Sequence, residues 1–262
     1  MIHPTAIIHP DASIHPDCEI GPFCIVEEGT SLGEGCRLHP HVIIRKGSRL
    51  GAEVVIHPFA VIGGRPQDVS VAEAIESGVV IGDGTVIREN VTVNRSGKDG
   101  FATTIGETCY LMAGSHVAHD CVLGNRVILA NDTMLAGHVQ VGDHVFLGGG
   151  CGIHQFCRIG ESVMVGGHAS ITMDLPPFLM VAERNHISGL NLVGLKRRGL
   201  NADIIGNIKA CFRAVYADSG NPREKAAAAL RDGLAECPES TRFLEFFAGG
   251  KRGIARWTPG GG

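Results

Sequence analysis

An aliphatic residue returns at every sixth position from Ile2 to Ile62, by way of Ile8, Ile14, Ile20, Val26, Leu32, Leu38, Ile44, Leu50 and Ile56. A second series passes through Ile81, Ile87 and Val93 and resumes in the same phase from Ile105 to Ile171. An α-helix brings a face round every 3.6 residues and a strand every 2, so neither produces this cadence. A fixed short period is the mark of a solenoid, whose length grows by repetition rather than by enlarging a core. Four residues after each aliphatic stands Ala, Cys, Ser, Thr or Val. The exceptions, Pro66, Gly97 and Leu175, border an interruption or the end of the array. Such restriction describes a cramped inward site. Cys18, Cys24, Cys36, Cys109, Cys121, Cys151 and Cys157 all occupy it, which is how a small buried hydrophobe behaves rather than a ligand or nucleophile. Cys211 and Cys237 lie outside the array and read as free thiols.

The hexads resemble those of the hexapeptide-repeat acyltransferases. That resemblance implies a mainly β fold, a left-handed parallel β-helix over residues 1–190 followed by a C-terminal α-helical domain over 191–262. It also implies three hexads per triangular coil, so that residues three hexads apart stack at the strand spacing of about 4.8 Å. Two interruptions, 63–80 and 94–104, read as loops thrown from the solenoid, where binding faces are commonly built. Beyond Pro176 and Pro177 the segments 202–217, 223–236 and 239–248 suit amphipathic helices that cap the open end.

The formal net charge of -4 and the lack of a long basic block argue against a nucleic-acid partner. No apolar run approaches the roughly 18 residues of a membrane span, and no basic start followed by an apolar stretch opens the chain. The expected location is the cytoplasm.

Five histidines, His3, His9, His15, His39 and His57, precede proline directly after an inward aliphatic, and so belong to turns. The informative group lies in GSHVAHDC, LAGHV and IHQFC, which carry His116, His119, Asp120, His138 and His154. Stacking at an interval of three hexads puts His119, Gly137 and Gln155 in one column, with Asp120 and His138 in the next. Acyl transfer needs a base for the attacking hydroxyl and a donor for the developing oxyanion. His119 and the unobstructed N–H of Gly137 can supply both.

The segments HVAHDC (116–121), GNRVILAN (124–131), LAGHV (135–139), HQFC (154–157), MVGG (164–167) and NLVGLKRRG (191–199) sharpen the resemblance. They are similar to the acyltransferases that begin lipid A synthesis, moving a 3-hydroxyacyl group from acyl carrier protein to the 3-hydroxyl of UDP-N-acetylglucosamine. The resemblance implies His119 as catalytic base, Gly137 as oxyanion donor and Asp68, from the 63–80 loop of a neighbouring subunit, as an orienting group. It implies a homotrimer with active sites between subunits, lined by Gln67, His116, Asp120, His138, His154 and Gln155. Asn191, Arg197 and Arg198 would sit near the nucleotide or the phosphopantetheine arm, and Gly167 would limit acyl length. No cofactor or metal is implied, because a thioester is already activated. Two positions depart from the better-known pattern: Ser70 stands where Lys is usual, and Val193 where Glu is frequent. A 3-amino analogue of the nucleotide sugar is therefore an alternative acceptor.

Two other readings compete. A trimeric carbonic-anhydrase-like zinc site would use His116, His119 and His138, and a solenoid without catalysis would use none of these groups.

Overall fold

The computed structural model describes residues 1–72 and 75–257; residues 73 and 74 of the first interruption, and 258–262, lie outside the described residues. Most of the chain forms strands of only two residues, gathered into three sheets of nine, eight and ten strands. The chain visits the sheets in rotation, so each strand as far as Ser170–Ile171 pairs in parallel with strands three places away in chain order. Ile25 lies beside Ile43, Ile128 beside Phe146 and Met134 beside Gly152, each pair three hexads apart. This order is that of a parallel β-helix of triangular section.

The reason lies in the hexad. A two-residue strand presents one residue inward and one outward, and the four residues that follow turn the corner. Both the aliphatic of the strand and the small residue four positions later face the axis: Ile44, Leu129, Leu147, Cys24, Cys121 and Val139 are fully buried. The first coil differs. Ile2 is 51% exposed, because no coil stacks beneath it.

The small slot has a second duty. Cys24 Sγ donates to His39 O at 3.0 Å, Cys121 Sγ to Ala136 O at 3.2 Å and Thr85 Oγ1 to Gly106 O at 2.9 Å. A buried thiol or hydroxyl thus satisfies a corner carbonyl of the next coil, which would otherwise be costly to bury. The third corner residue repeatedly adopts a left-handed backbone, as in Phe23, Asp120, His138, Phe156 and His168, with φ between 56° and 66°. Side chains other than glycine seldom accept this conformation, and here the stacked coils enforce it.

The interruptions change the register without breaking the stack. Val61 pairs with Thr92, a step of 31, and Val79 with Thr103, a step of 24. The sheets stay paired through Gly64 and again from Gly78, and through Asn94 and again from Ala102. The two loops are tied together: Gly100 N donates to Glu76 O at 2.7 Å, Glu76 N to Asp99 Oδ1 at 2.8 Å and Ser77 Oγ to Ser96 O at 2.7 Å.

At the far end Leu179–Ala182 adds a parallel strand and His186–Leu190 an antiparallel one. Helices α1 (Leu192–Arg197), α2 (Ala202–Tyr216), α3 (Pro222–Arg231) and α4 (Pro238–Glu245) follow. Helix α3 stops short of the expected 236. Gly233, at φ 71°, closes it with Gly233 N on Leu230 O and Leu234 N on Ala229 O, the paired bonds of a left-handed helix stop. Arg158 fastens the tail to the last coil: its side chain donates to the fully buried Asp174 and to the carbonyls of Phe246 and Gly249. Among the described residues no helix is long and apolar enough to cross a membrane.

The inner slot sets a steric prediction. Val fills it at 127, 139, 145 and 163, so Cys121→Val is expected to cost less than about 1.5 kcal/mol, whereas Cys121→Leu overpacks the slot and costs about 1–3 kcal/mol more. Denaturant unfolding of the two variants measures the difference.

Candidate active site

The strands His116–Val117 and Val122–Leu123 belong to the first and second sheets, and the corner between them carries Ala118, His119, Asp120 and Cys121. The next corner in the column carries Ala136, Gly137 and His138, and the one after it His154, Gln155 and Phe156. Coil bonds lock the three together: His138 N donates to His119 O at 3.0 Å and Phe156 N to Gly137 O at 3.1 Å. The expected columns are present.

Gly137 makes room for the His119 ring. A Cβ on Gly137 would lie 2.7 Å from His119 Nε2 and 2.8 Å from Cε1, so the imidazole lies directly against the glycine. The Gly137 N–H donates to no group among the described residues.

His119 Nδ1 lies 2.7 Å from Asp120 Oδ2, and the two side chains retain only 12% and 9% exposure. An ionised carboxylate only accepts, so it fixes the proton on Nδ1 and leaves the Nε2 lone pair free beside Gly137. Asp120 is itself held from three sides. Ser96 Oγ donates to Oδ1 at 2.5 Å, Gly97 N to Oδ2 at 3.2 Å, and Thr103 Oγ1 accepts the Asp120 N–H at 2.9 Å. Burial pushes the Asp120 carboxyl up, but the hydrogen bonds from His119, Ser96 and Gly97 outweigh it and hold the group below its ordinary range.

His138 stacks on Phe156 with ring centres 4.6 Å apart and meets His119 edge-on at 5.1 Å. Its Nε2 stands 3.8 Å from Asp120 Oδ2. Burial lowers its pKa, opposed by the Asp120 charge. His116 donates or accepts through Nδ1 with Thr92 Oγ1 at 2.7 Å, and burial lowers its pKa as well.

A groove of about 1010 Å³ runs along the outer face of the first sheet. Thr92, His116, Met134, Gly152 and Ser170 form its floor, and His119, Gly137, His154 and Gln155 its rim. Gln67 and Asp68 also line it. Asp68 reaches the groove of its own chain. The reason is topological, because its loop leaves the strand Val61–Gly64, which pairs with Thr92–Asn94 and so lies next but one to His116–Val117 in the same sheet. Ser70 donates to Asp68 Oδ1 through N at 2.8 Å and Oγ at 2.7 Å, and these bonds hold the exposed carboxyl below its ordinary range.

The remaining candidates are not brought to this groove within one chain. Asn191 caps α1 through Gly194 N and donates to Ser162 O. Arg198 bonds Ser162 Oγ and stands 4.0 Å from Glu161, while Arg197 and Val193 are exposed. Gly167 lies at the corner that joins the third sheet to the first.

The trio of zinc ligands weighed from the sequence does not converge either. Among the described residues the one group whose ligand atoms gather is His119, Asp120 and His138, within 4.8 Å, without His116. Asp120 Oδ2 already faces a ring nitrogen and a backbone N–H there, which engages the carboxylate in hydrogen bonds rather than holding it open for a metal.

Sequence reasoning missed Thr92, Ser96, Gly97, Thr103 and Phe156. Phe156 was within reach, standing three hexads after His138. Thr92, Ser96 and Gly97 were hidden by the loop, which changes the step between coils: Thr92 and Ser96 each stand four hexads, rather than three, before their partners His116 and Asp120, while Thr103 stands one place off the column of Asp120.

A solenoid of hexads, with a histidine ring packed against a bare glycine amide on its outer edge, defines the class of hexapeptide-repeat transferases. Residues 102–137 match the family model for the bacterial transferase hexapeptide, residues 174–255 that for domain 2 of UDP-N-acetylglucosamine O-acyltransferase, and residues 2–98 that for the GMPPB C-terminal domain. The acyl-[acyl-carrier-protein]–UDP-N-acetylglucosamine O-acyltransferase of Agrobacterium fabrum is 38% identical over 75% of this chain and 73% of its own. That of Anaeromyxobacter sp. strain K is 41% identical over 74% and 76%. The UDP-N-acetylglucosamine acyltransferase structure from Bacteroides fragilis superposes with a TM-score of 0.92 at 37% identity, over 98% of this chain and 100% of that one. The Francisella novicida structure gives 0.94 at 32%, over 99% and 95%. The chain belongs to the UDP-N-acetylglucosamine O-acyltransferase family.

The glycine contact is directly testable. Gly137→Ala is expected to displace the His119 ring and lower kcat at least ~10²-fold while the melting temperature changes little; steady-state kinetics beside a thermal melt checks this.

Proposed function

We propose that His119 is the general base with which this enzyme takes the proton from the 3-hydroxyl of UDP-N-acetylglucosamine as the acyl group arrives from acyl carrier protein. The observation that carries the reading is the pair formed by His119 Nε2 and Gly137, a free lone pair against an uncovered glycine.

The sugar oxygen attacks the thioester carbonyl carbon, and its proton passes to Nε2. Negative charge gathers on the carbonyl oxygen, where the Gly137 N–H donates. As the intermediate collapses the carbon–sulfur bond breaks, and the imidazolium returns its proton to the departing phosphopantetheine thiolate. Asp120, ionised and buried, stabilises the imidazolium through Nδ1–H. General base action of this kind commonly contributes about 10²–10⁴ in rate, and one oxyanion donor about 10²–10³. The product is the acylated nucleotide sugar of the first step of lipid A biosynthesis.

The substrate-binding roles follow the groove. Gln67, Asp68, His116, His138, His154 and Gln155 would hold the sugar and the thioester around the base, with Asp68 orienting the acceptor. Gly167 would set acyl length; a Cβ there would press on the Gly149 backbone O at 3.3 Å, so the preceding coil of its own chain already crowds any side chain at this position. Asn191, Arg197 and Arg198 would meet the phosphates of the nucleotide or of the carrier arm.

A homotrimer accounts for the separation of these parts. His119, Gly167 and the Ser162 corner that holds Arg198 occupy three different edges of one triangular prism, so only neighbouring copies can bring them to one cleft. The third sheet supports the same reading with a half-buried outer file of Val86, Tyr110, Ile128, Phe146 and Met164. The left-handed winding follows from the hexapeptide resemblance and is supported by TM-scores above 0.9 with the family's structures. A cytoplasmic location fits a substrate presented on acyl carrier protein.

The acceptor could instead be the 3-amino sugar, and the Ser70 and Val193 departures favour testing it. Purified protein given 3-hydroxyacyl carrier protein and UDP-N-acetylglucosamine is expected to yield the 3-O-acylated nucleotide sugar by mass spectrometry. His119→Ala is expected to lower the rate at least ~10²-fold. Unchanged turnover in that variant contradicts the base assignment, and product from the 3-amino sugar alone reassigns the acceptor.

A further inference from the structure

The two loops that interrupt the hexads end, on the inner side of the site, at a single serine. Ser96 is fully buried, and its hydroxyl lies 2.5 Å from Asp120 Oδ1. The direction of that bond is fixed by a neighbour: Lys98 N donates to Ser96 Oγ at 3.0 Å, so the hydroxyl accepts from the backbone and its own proton goes elsewhere. The alternative acceptor, Lys98 O, is 3.4 Å away, against 2.5 Å for the carboxylate. Oδ1 takes the serine proton, and Oδ2 is left to face His119 Nδ1 and the Gly97 N–H.

Three links therefore run in line from the 95–101 loop to the reacting nitrogen: the Ser96 hydroxyl, the Asp120 carboxylate and the His119 imidazole. Asp120 sits at φ 60°, at the corner position whose backbone the stack fixes, and the orientation of its carboxylate is set by its own hydrogen bonds. Among the described residues that bond its carboxylate, only Ser96 engages Oδ1. The loop carrying Ser96 adds one hexad's length to its coil, since Val79 pairs with Thr103 whereas Thr104 pairs with Val122 at the ordinary interval. Ser96 is further anchored by its own backbone, which donates to Gly78 O at 3.2 Å and accepts from Ser77 Oγ at 2.7 Å.

Resting on the reading of His119 as base, we propose that Ser96 is a positioning residue of the catalytic apparatus, a third member that orients the Asp120 carboxylate and thereby the tautomer and aim of His119. The 95–101 loop then exists to bring this hydroxyl behind the base. Substrate is not touched by Ser96, so its removal acts on turnover rather than on binding.

The test compares Ser96→Ala with Ser77→Ala, which cuts the bond between the loops and leaves every partner of Asp120 in place. Ser96→Ala is expected to lower kcat about 10-fold or more, with KM for UDP-N-acetylglucosamine within about twofold. The acid limb of its kcat profile is expected to move to higher pH, because the carboxylate loses a donor and becomes more basic, as does the imidazole it faces. His138, 3.8 Å from Asp120, and the nearby Lys98 and Asp68 are unchanged in both variants and contribute equally. Ser77→Ala is expected to keep the acid limb of the parent enzyme, and Ser96→Thr to restore most of the lost rate. Equal kinetic loss in the two alanine variants with no movement of the acid limb, or parent-like kcat in Ser96→Ala, overturns the proposal. If His119→Ala is inactive while Ser96→Ala is not impaired, the positioning role alone falls; if His119→Ala is active, the base reading falls with it.

Discussion

The stacking of one coil on the next, at an interval of three hexads, governs everything else in this molecule. Backbone N–H and C=O groups of each two-residue strand find partners only in neighbouring coils, so no strand is stable alone. The aliphatic and the small residue of each hexad then fill a narrow prism in which a single methylene is felt. Because the register is fixed by so many hydrogen bonds, side chains far apart in sequence meet at defined heights on an outer edge. Rigid elements of this kind hold reacting groups more accurately than loops do.

The geometry of the proposed catalytic site follows from that regularity. His119 and Gly137 occupy the same position in successive coils, and the glycine is needed because a neighbouring imidazole takes the space of its Cβ. Asp120 and His138 occupy the next position, where the left-handed corner backbone turns both side chains outward. A residue with φ near 60° is normally a liability, and the stack turns it to use by aiming a carboxylate at the ring of its own sequence neighbour.

How much of this was legible in the sequence depends on whether the three-hexad interval was intact. The inward file, the seven buried cysteines and the columns of His119 with Gly137 and Asp120 with His138 follow from counting. Thr92 and Ser96 did not, because the loop within their coil changes the count to 24, and Thr103 did not because it stands 17 before Asp120, one place off the column. The extent of α3 was missed for a local reason, since Gly233 ends a run whose composition still favours helix.

The central claim is that the neutral His119 ring carries its proton on Nδ1, toward Asp120, and offers Nε2 toward Gly137. Nitrogen-15 NMR of the histidine-labelled protein, with the His119 resonance assigned by its loss in a variant, reads this directly. The account predicts a neutral His119 with a protonated Nδ1 and a bare Nε2 at pH 8, and a shift away from that tautomer in Asp120→Asn. A proton resting on Nε2 in the parent protein contradicts it.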